Sequence, residues 1–238
     1  SNVKKNQLLD SWKEQFIASK TFSSITQSVD SGIPTIISCY RKAAIEKSIP
    51  DEYYISFIEA MRKDIEISEY KKMEDLIDDY VYGSAIVVGY FLAYIYGPEE
   101  GYSVEDLLTP SKDLGIALQL TNFARDVYED YFRGRFYAPT ELLCKPTNKN
   151  DLESYVLNAR KILATEAEKW YLKAENGMNY FASDSQIAIK TCLELFRKLN
   201  NKILLEEMPL DHRYSLSTKD KFSFLPLSKL WKLILLYF

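Results

Sequence analysis

A chain of 238 residues with a formal net charge of −4 and no long block of like charge is sized for one domain and shows no nucleic-acid footprint. Eight glycines and eight prolines are few for this length, which disfavours sheet folds with many tight turns and favours long helices. Three widely spaced cysteines and one histidine argue against a disulfide framework and a His-rich zinc site, and they indicate a reducing compartment.

The prolines and the helical spacing of apolar residues divide the chain into helices. The predicted ranges are 4–20, 35–47, 51–67, 72–96, 110–132, 151–178, 183–206 and 226–237. Ser183 with Gln186 resembles a capping box, and Pro110 suits the first turn of its helix. Because no strand alternation, repeat or linker stands out, we predict one all-α domain over residues 1–238.

The longest apolar run covers residues 85–96 and has about twelve residues, fewer than the ~18–20 that a bilayer requires. No membrane span is therefore predicted. Because the second half of the 72–96 segment is apolar on every side, we expect that helix to run through the interior.

One stretch, 114–139, places polar side chains among apolar ones. Asn122, Asp126 and Asp130 recur every four residues, so on a helix they rise about 6 Å per step along one slowly turning face. Gln119 lies about one turn earlier. Carboxylate and amide oxygens on one rigid face suit Mg²⁺, which commonly bridges carboxylates to phosphates.

Arginines accompany this acidic row. Arg125 adjoins Asp126, and Arg133, Arg135 and Tyr137 follow the row. Arginine presents fixed donors that match phosphate oxygens. The combination of carboxylates and arginines predicts a Mg²⁺-diphosphate site.

A solvated acidic helix face is the alternative interpretation, since Asp75 and Asp79 have the same spacing elsewhere in the chain. The row at 122–130 differs because apolar residues surround it and direct part of it inward, where a carboxylate is costly unless it is paired or bound to a metal. These apolar residues are Ile116, Leu118, Leu120 and Phe123.

The same stretch closely resembles the second aspartate-rich motif of the squalene/phytoene synthases, whose pattern reads approximately QLTN-x-x-RD-x-x-ED-x-x-x-GR-x-Y-x-P. The matching residues are Gln119, Leu120, Thr121, Asn122, Arg125, Asp126, Glu129, Asp130, Gly134, Arg135, Tyr137 and Pro139. Residues 80–89 are similar to a second family block, Y-C-Y-x-V-A-G-x-V-G. Weaker lead-in matches fall at Met61, Asp64, Tyr70 and Leu76.

The resemblance covers the whole chain, although its last third depends mainly on Arg213 and a following lysine, Lys221 or Lys219. It implies a class I isoprenoid synthase-like helical bundle around a central apolar cavity. It also implies a prenyltransferase that condenses two farnesyl or geranylgeranyl diphosphates head to head with Mg²⁺. We weight a phytoene-type product slightly above a squalene-type one, and NADPH would be needed only for the latter.

Site residues follow from the resemblance position by position. The metal ligands would be Asp126, Asp130 and Asn122. The catalytic residues would be Asp126, Asp130, Arg125 and Tyr80. The phosphate end of the substrate would meet Gln119, Asn122, Arg125, Arg135, Tyr137, Arg213 and Lys221. The tunnel for the prenyl tails would be lined by Tyr80, Ser84, Val88, Gly89 and Gly115.

The expected partners are prenyl diphosphates, with no nucleic acid. The expected location is cytoplasmic, with peripheral membrane contact for release of an apolar product. Two departures from the family pattern matter. Val81 and Ile86 replace the family's usual cysteine and glycine, which would reshape the tunnel. The family's first aspartate-rich motif normally lies upstream of a segment resembling 8–12, so roughly fifty residues of the family pattern are expected before this chain begins.

Two other functions stay open on the sequence. One is a family member that has lost catalysis and acts as a binding or assembly protein, which the missing first motif suggests and the intact second motif opposes. The other is a lyase or phosphatase that acts on a single prenyl diphosphate, because one Mg²⁺-diphosphate site can still ionise an allylic substrate.

Overall fold

Helices dominate the computed structural model, which describes residues 2–66, 69–206 and 208–224. In these ranges the strand-like pairings are two isolated bridges, Glu69 with Phe136 and Pro98 with Phe181. The helices are α1 (Asn2–Ala18), α2 (Ile25–Asp30), α3 (Thr35–Glu46), α4 (Asp51–Glu66), α5 (Met73–Leu76), α6 (Val87–Tyr96), α7 (Val104–Phe132), α8 (Lys149–Glu175), α9 (Ser183–Leu205) and α10 (Thr218–Ser223). A π-helical segment (Ile77–Ile86) joins α5 to α6, and short 3-10 turns lie at Ser19–Thr21 and Thr140–Leu142. The all-α prediction is confirmed; the predicted helix 226–237 lies outside the described residues.

Helix α7 begins six residues before the predicted start at Pro110. Ser103 and Asp106 form a capping box in which the Asp106 carboxylate accepts a hydrogen bond of 2.8 Å from the Ser103 backbone amide. Pro110 is buried inside the helix, and its ring packs closely against Gly177. The cap and this packing offset the backbone hydrogen bond that proline cannot donate.

Helix α9 begins at the predicted residue but without the predicted capping box. Its N-cap is Ala182, and the side-chain Nε2 of Gln186 donates instead to the carbonyl oxygen of Phe181 at 2.8 Å. Gln186 therefore fastens the preceding loop to the helix, and does not close the helix end.

The π segment makes α5 and α6 one continuous helix of 24 residues, long and apolar enough by length and composition to cross a membrane. In the fold it packs against α4 and α7. The expectation that its second half is buried all round is wrong. Val87 and Ala93 are fully buried, whereas Val88, Leu92 and Ile95 are 37–45% exposed. One face joins the core and the other borders a cavity and the surface.

Helix α7 is the centre of the bundle and contacts the π segment, α6, α8 and α9. Two glycines permit the crossing with the α5–α6 helix. A Cβ added at Gly89 would lie 2.8 Å from the carbonyl oxygen of Ser111, and one at Gly115 would lie 3.1 Å from that of Ala85. Close backbone approach therefore brings the α7 face that carries the predicted site against α6.

A buried polar network fixes α7 against α8 and α9. The Thr121 hydroxyl lies 2.9 Å from the Tyr171 hydroxyl and 3.3 Å from Oδ1 of Asn200. Nδ2 of Asn200 donates to the carbonyl oxygen of Ala164 at 2.9 Å. Thr121, Tyr171 and Asn200 are fully buried, so water cannot replace these bonds. The network therefore joins α7 to α8 and α9 just before the predicted acidic row.

Candidate active site

Asp126 is paired with two arginines, one its neighbour in sequence and the other 87 residues away. Arg125 donates to the Asp126 carboxylate through Nε at 2.8 Å and Nη2 at 2.6 Å. Arg213 donates to it through Nε at 2.8 Å and Nη2 at 3.2 Å. Burial alone would raise the pKa of Asp126, but the two guanidinium groups outweigh it and the pKa is lowered. Asp126 is therefore a carboxylate at neutral pH.

Asp130, one turn further along α7, has a different environment. Its side chain is only 14% exposed, and the Arg133 guanidinium is 3.7 Å away, at the outer limit of an ion pair. Burial and the charge of Asp126 raise the pKa of Asp130. A cation placed beside the two carboxylates would relieve both effects.

This donor set fits Mg²⁺, which typically takes one or two carboxylates and fills its remaining positions with water and substrate phosphate oxygens. Over the described ranges, no group of three or more His, Cys, Asp or Glu side chains gathers as a complete protein-only metal site. Asp126 and Asp130, with Arg125 and Arg213 beside Asp126, could supply the carboxylates of such a site.

The sequence offered Asp75 and Asp79 as a pair of the same spacing, and the structure separates the two cases. The Asp79 side chain is 60% exposed and lies 3.3 Å from the Lys63 ammonium. This second pair belongs to an open helix surface, where ion pairs contribute little. It serves as an internal control for the acidic row on α7.

Three of the predicted phosphate-binding residues line one pocket of about 540 Å³: Arg125, Arg213 and Lys221. Lys219, the alternative to Lys221, is not in this wall. The rest of the lining is mainly apolar and comes from α9 and the loop after it, including Phe196, Leu199 and Tyr214. We call this space the basic pocket.

An apolar cavity of about 400 Å³ lies between α6, α7 and α9. Its lining includes the predicted tunnel residues Ser84, Val88, Gly89 and Gly115. Gln119 and Asn122 also line it and give this cavity, the tail cavity, a polar end on α7. Phe196 lines both the tail cavity and the basic pocket, so the two spaces adjoin.

Tyr80 does not line the tail cavity, contrary to the prediction. It is 5% exposed and stacks on Tyr137 at 5.2 Å between ring centroids. The Tyr137 hydroxyl donates to Asp64 at 2.9 Å. Burial, together with Asp64, raises the pKa of Tyr80 and raises that of Tyr137 to about 12. Both phenols are therefore neutral at neutral pH.

Arg135 connects this aromatic cluster with the acidic row. Burial acts to lower the pKa of Arg135, but the neighbouring Tyr137, Asp64, Tyr80 and Asp130 raise it overall. The Arg135 backbone amide also donates to the Asp130 carbonyl oxygen at 2.9 Å. Arg135 thus lies close to the acidic row, as predicted, although its guanidinium is not part of the basic pocket.

The sequence reasoning missed the wall contributed by α9. Ile189, Cys192 and Phe196 recur at helical spacing and line the tail cavity, and Phe181 joins them from the preceding loop. The three-to-four-residue repeat on α9 is the signal that could have identified an apolar face. Asp64 was noted only as a weak lead-in match, and its hydrogen bond to Tyr137 spans 73 residues of sequence.

An all-α bundle with an acidic, arginine-flanked helix beside an apolar cavity defines an isoprenoid synthase-like protein. Two solved structures share this fold. A dehydrosqualene synthase in complex with ligand aligns with a TM-score of 0.61 and 23% identity, covering 90% of this chain and 76% of that one. A squalene synthase from Alicyclobacillus acidocaldarius aligns with a TM-score of 0.63 and 22% identity, covering 82% and 70% of the two chains.

The squalene/phytoene synthase family model matches residues 1–218, and the chain belongs to that family. A 15-cis-phytoene synthase from Pantoea ananas is 30% identical over 199 residues, which is 79% of this chain. The match covers 62% of that relative's length. The family resemblance noted in the sequence is therefore confirmed.

Proposed function

We propose that the protein condenses two prenyl diphosphates head to head to a phytoene- or squalene-type hydrocarbon. Of the two, we favour the phytoene-type product. The observation that carries the proposal is the adjacency of two unlike spaces. The basic pocket, beside Asp126, shares Phe196 with the apolar tail cavity. A prenyl diphosphate has the same two parts, a polyanionic head and an apolar tail.

The arginines would bind the head. Arg125 and Arg213 already present their donors to an oxyanion, the Asp126 carboxylate. Phosphate oxygens accept hydrogen bonds from the same planar fork. The Arg213 side chain is 60% exposed, so it can turn towards an incoming diphosphate while the less exposed Arg125 stays on Asp126. Lys221, which lines the same pocket, would add a third positive charge.

Asp126 and Asp130 would hold Mg²⁺, with the amide oxygens of Asn122 and Gln119 nearby on the same helix. When bound, Mg²⁺ would neutralise phosphate charge and stabilise the departing diphosphate. The low pKa of Asp126 keeps its carboxylate available, and Asp130 is buried with little compensation from protein cations.

The tail cavity would hold the hydrocarbon and exclude water from the allylic carbon. Its volume falls within the range of ligand pockets, roughly 300–1,000 Å³. Ser84 is its polar exception: the hydroxyl is buried, and the described part of the chain provides no hydrogen-bond partner for it. We expect this hydroxyl to face the reacting end of the substrate.

We also propose peripheral membrane contact for product release. Val88 and Leu92 line the tail cavity and are at the same time 37% and 41% exposed, and Ile95 continues this face with 45% exposure. An apolar surface at the cavity wall suits transfer of a hydrocarbon into lipid. Leu92→Ser with Ile95→Ser should reduce co-sedimentation with phosphatidylcholine vesicles; unchanged co-sedimentation would contradict the proposal.

Product analysis tests the proposed activity. Full-length protein is incubated with farnesyl or geranylgeranyl diphosphate, with and without Mg²⁺ and NADPH. We expect Mg²⁺-dependent release of diphosphate and a coupled C30 or C40 product, with Asp126→Asn reducing the rate by about 100-fold or more. Diphosphate release without a coupled product would favour the single-substrate lyase or phosphatase. No reaction with any substrate would refute the synthase and favour a binding protein.

A further inference from the structure

Arg213 reaches Asp126 from a loop that its own ion pair cannot hold in place. The Arg213 side chain is 60% exposed, and exposed ion pairs contribute little to stability. The Asp126 pairing spans 87 residues of sequence, so the loop must be positioned by other contacts. The surroundings of the loop identify the group that does this.

Arg160 on α8 is that group. It is 3% exposed, among the most buried charged residues of the described chain. Its Nη2 donates to the carbonyl oxygens of Leu210 at 2.9 Å and His212 at 3.3 Å, the second of which belongs to the residue just before Arg213. Its guanidinium carbon lies 5.4 Å from the centroid of the Tyr214 ring, on the other side of Arg213.

Arg160 therefore contacts the residues immediately before and after Arg213, His212 and Tyr214. Tyr214 is 3% exposed, and its hydroxyl donates to the Glu206 carbonyl oxygen at 2.7 Å, which ties the end of the loop to the residue after α9. We call residues 208–214 the Arg213 loop. Burying a charge is energetically costly unless the charged group makes hydrogen bonds, so the hydrogen bonds from Arg160 to the Leu210 and His212 carbonyl oxygens are strongly favoured.

Arg160 also faces the acidic row. Its Nε and Nη1 and Oε2 of Glu129 are buried, and none of the three atoms has a hydrogen-bond partner within the described ranges. Glu129 lies on α7 between Asp126 and Asp130, and its charge acts on both Arg160 and Arg213. The Arg160 guanidinium thus hydrogen-bonds to the Arg213 loop and interacts electrostatically with Glu129 on α7.

We infer that Arg160 is a positioning residue: it fixes the Arg213 loop so that Arg213 is aimed at Asp126 and at the phosphate groups of the substrate. The inference rests on the proposed function, since Arg213 matters for binding only if a diphosphate is bound there. Arg160 itself is not expected to touch substrate. Its effect on affinity should therefore pass entirely through Arg213.

The test combines Arg160→Met, Arg160→Lys, Arg213→Met and the double variant Arg160→Met/Arg213→Met. Dissociation constants for inorganic pyrophosphate are measured by calorimetry with Mg²⁺. Hydrogen exchange is measured for the backbone amides of the Arg213 loop. Arg197→Met is the matched control, because Arg197 forms ion pairs with Glu168 and Glu175 but lies outside both pockets.

We expect Arg160→Met to speed exchange in the Arg213 loop and to weaken pyrophosphate binding by about tenfold, the scale of hydrogen bonds to a charged group. Arg160→Lys should recover part of the affinity, since an ammonium can reach one carbonyl. In the Arg213→Met background, Arg160→Met should change affinity by less than about twofold. Arg197→Met should leave affinity unchanged even if it lowers the melting temperature.

Unchanged loop exchange in Arg160→Met would overturn the inference. So would an equal loss of affinity from Arg160→Met in the wild-type and Arg213→Met backgrounds, because Arg160 would then act independently of Arg213. Normal binding by both the wild type and Arg160→Met would overturn this inference alone. Failure of the wild type to bind pyrophosphate would refute the proposed function instead, and with it any role for Arg160 in binding.

Discussion

Replacing Thr121 by valine tests how much the buried network stabilises the packing of α7 against α8 and α9. Valine keeps the shape of threonine but removes the hydroxyl that lies between Tyr171 and Asn200. Both partners are fully buried, so each loses a hydrogen bond that water cannot replace. An unsatisfied buried polar group costs about 1–3 kcal/mol, and partial relaxation of two such groups suggests a total of about 2–3 kcal/mol.

Tyr171→Phe is the milder half of the comparison. It removes one partner, while Thr121 keeps its hydrogen bond to the Ala117 carbonyl oxygen at 2.9 Å. The expected cost is about 1 kcal/mol. In the double variant Thr121→Val/Tyr171→Phe, only Oδ1 of Asn200 loses its partner, while Nδ2 still donates to the Ala164 carbonyl oxygen. The double cost should therefore be smaller than the sum of the single costs by about 1 kcal/mol.

Urea denaturation followed by circular dichroism measures these differences as changes in the free energy of unfolding. For a chain of this size each kcal/mol should also lower the melting temperature by about 2–4 °C. Two results would refute the reasoning. One is a cost below about 0.5 kcal/mol for Thr121→Val, the level of an ordinary surface substitution. The other is simple additivity in the double variant, which would mean that the hydroxyls do not interact.

Three further predictions concern the site. Asp130→Asn should raise the free energy of unfolding of the metal-free protein at neutral pH. Because the folded-state pKa of Asp130 is raised, its ionisation lowers stability as the pH rises through that pKa, so the gain from the variant should vanish in acid. A gain that does not depend on pH in urea titrations would contradict this. Gly83→Ala should cost about 1–3 kcal/mol or more, since the new Cβ would overlap the Ser56 carbonyl oxygen, and an unchanged melting temperature would show that α4 does not approach the π segment this closely. Val88→Phe should narrow the tail cavity and favour farnesyl over geranylgeranyl diphosphate in competition assays, whereas an unchanged ratio of products would remove Val88 from the cavity wall.

Helix ends that are marked by local chemistry could be predicted from the sequence. Helices α3 and α4 begin at the predicted residues and end within one residue of the predicted ends. Helix α9 does so as well, although the predicted capping box is not what starts it. Where two local signals compete, the sequence misleads. Pro110 suggested a helix start, but the capping box at Ser103 starts α7 earlier, and the packing of Pro110 against Gly177 is invisible in the local sequence.

Some parts of the candidate site could likewise be predicted from the sequence, whereas others could not. The acidic row could be predicted because four-residue spacing places Asp126 and Asp130 on one helix face. Several tunnel residues could be named because the family resemblance carries them. The π segment that carries Tyr80 could not be predicted, since its wider hydrogen-bond ring has no clear sequence signature. The hydrogen bonds from Arg160 to the Arg213 loop could not be predicted either, because they join residues about fifty positions apart in the sequence.

The most direct test of the site is calorimetric titration of inorganic pyrophosphate into wild-type protein, Asp126→Asn and Asp79→Asn, with and without Mg²⁺. Asp79 is the matched control, because it belongs to the exposed pair with the same spacing. If the row on α7 is the Mg²⁺-diphosphate site, the wild type and Asp79→Asn bind equally and require Mg²⁺, and Asp126→Asn loses about tenfold or more in Mg²⁺-dependent affinity. Equal affinity in all three proteins, or wild-type binding that is indifferent to Mg²⁺, would contradict that assignment.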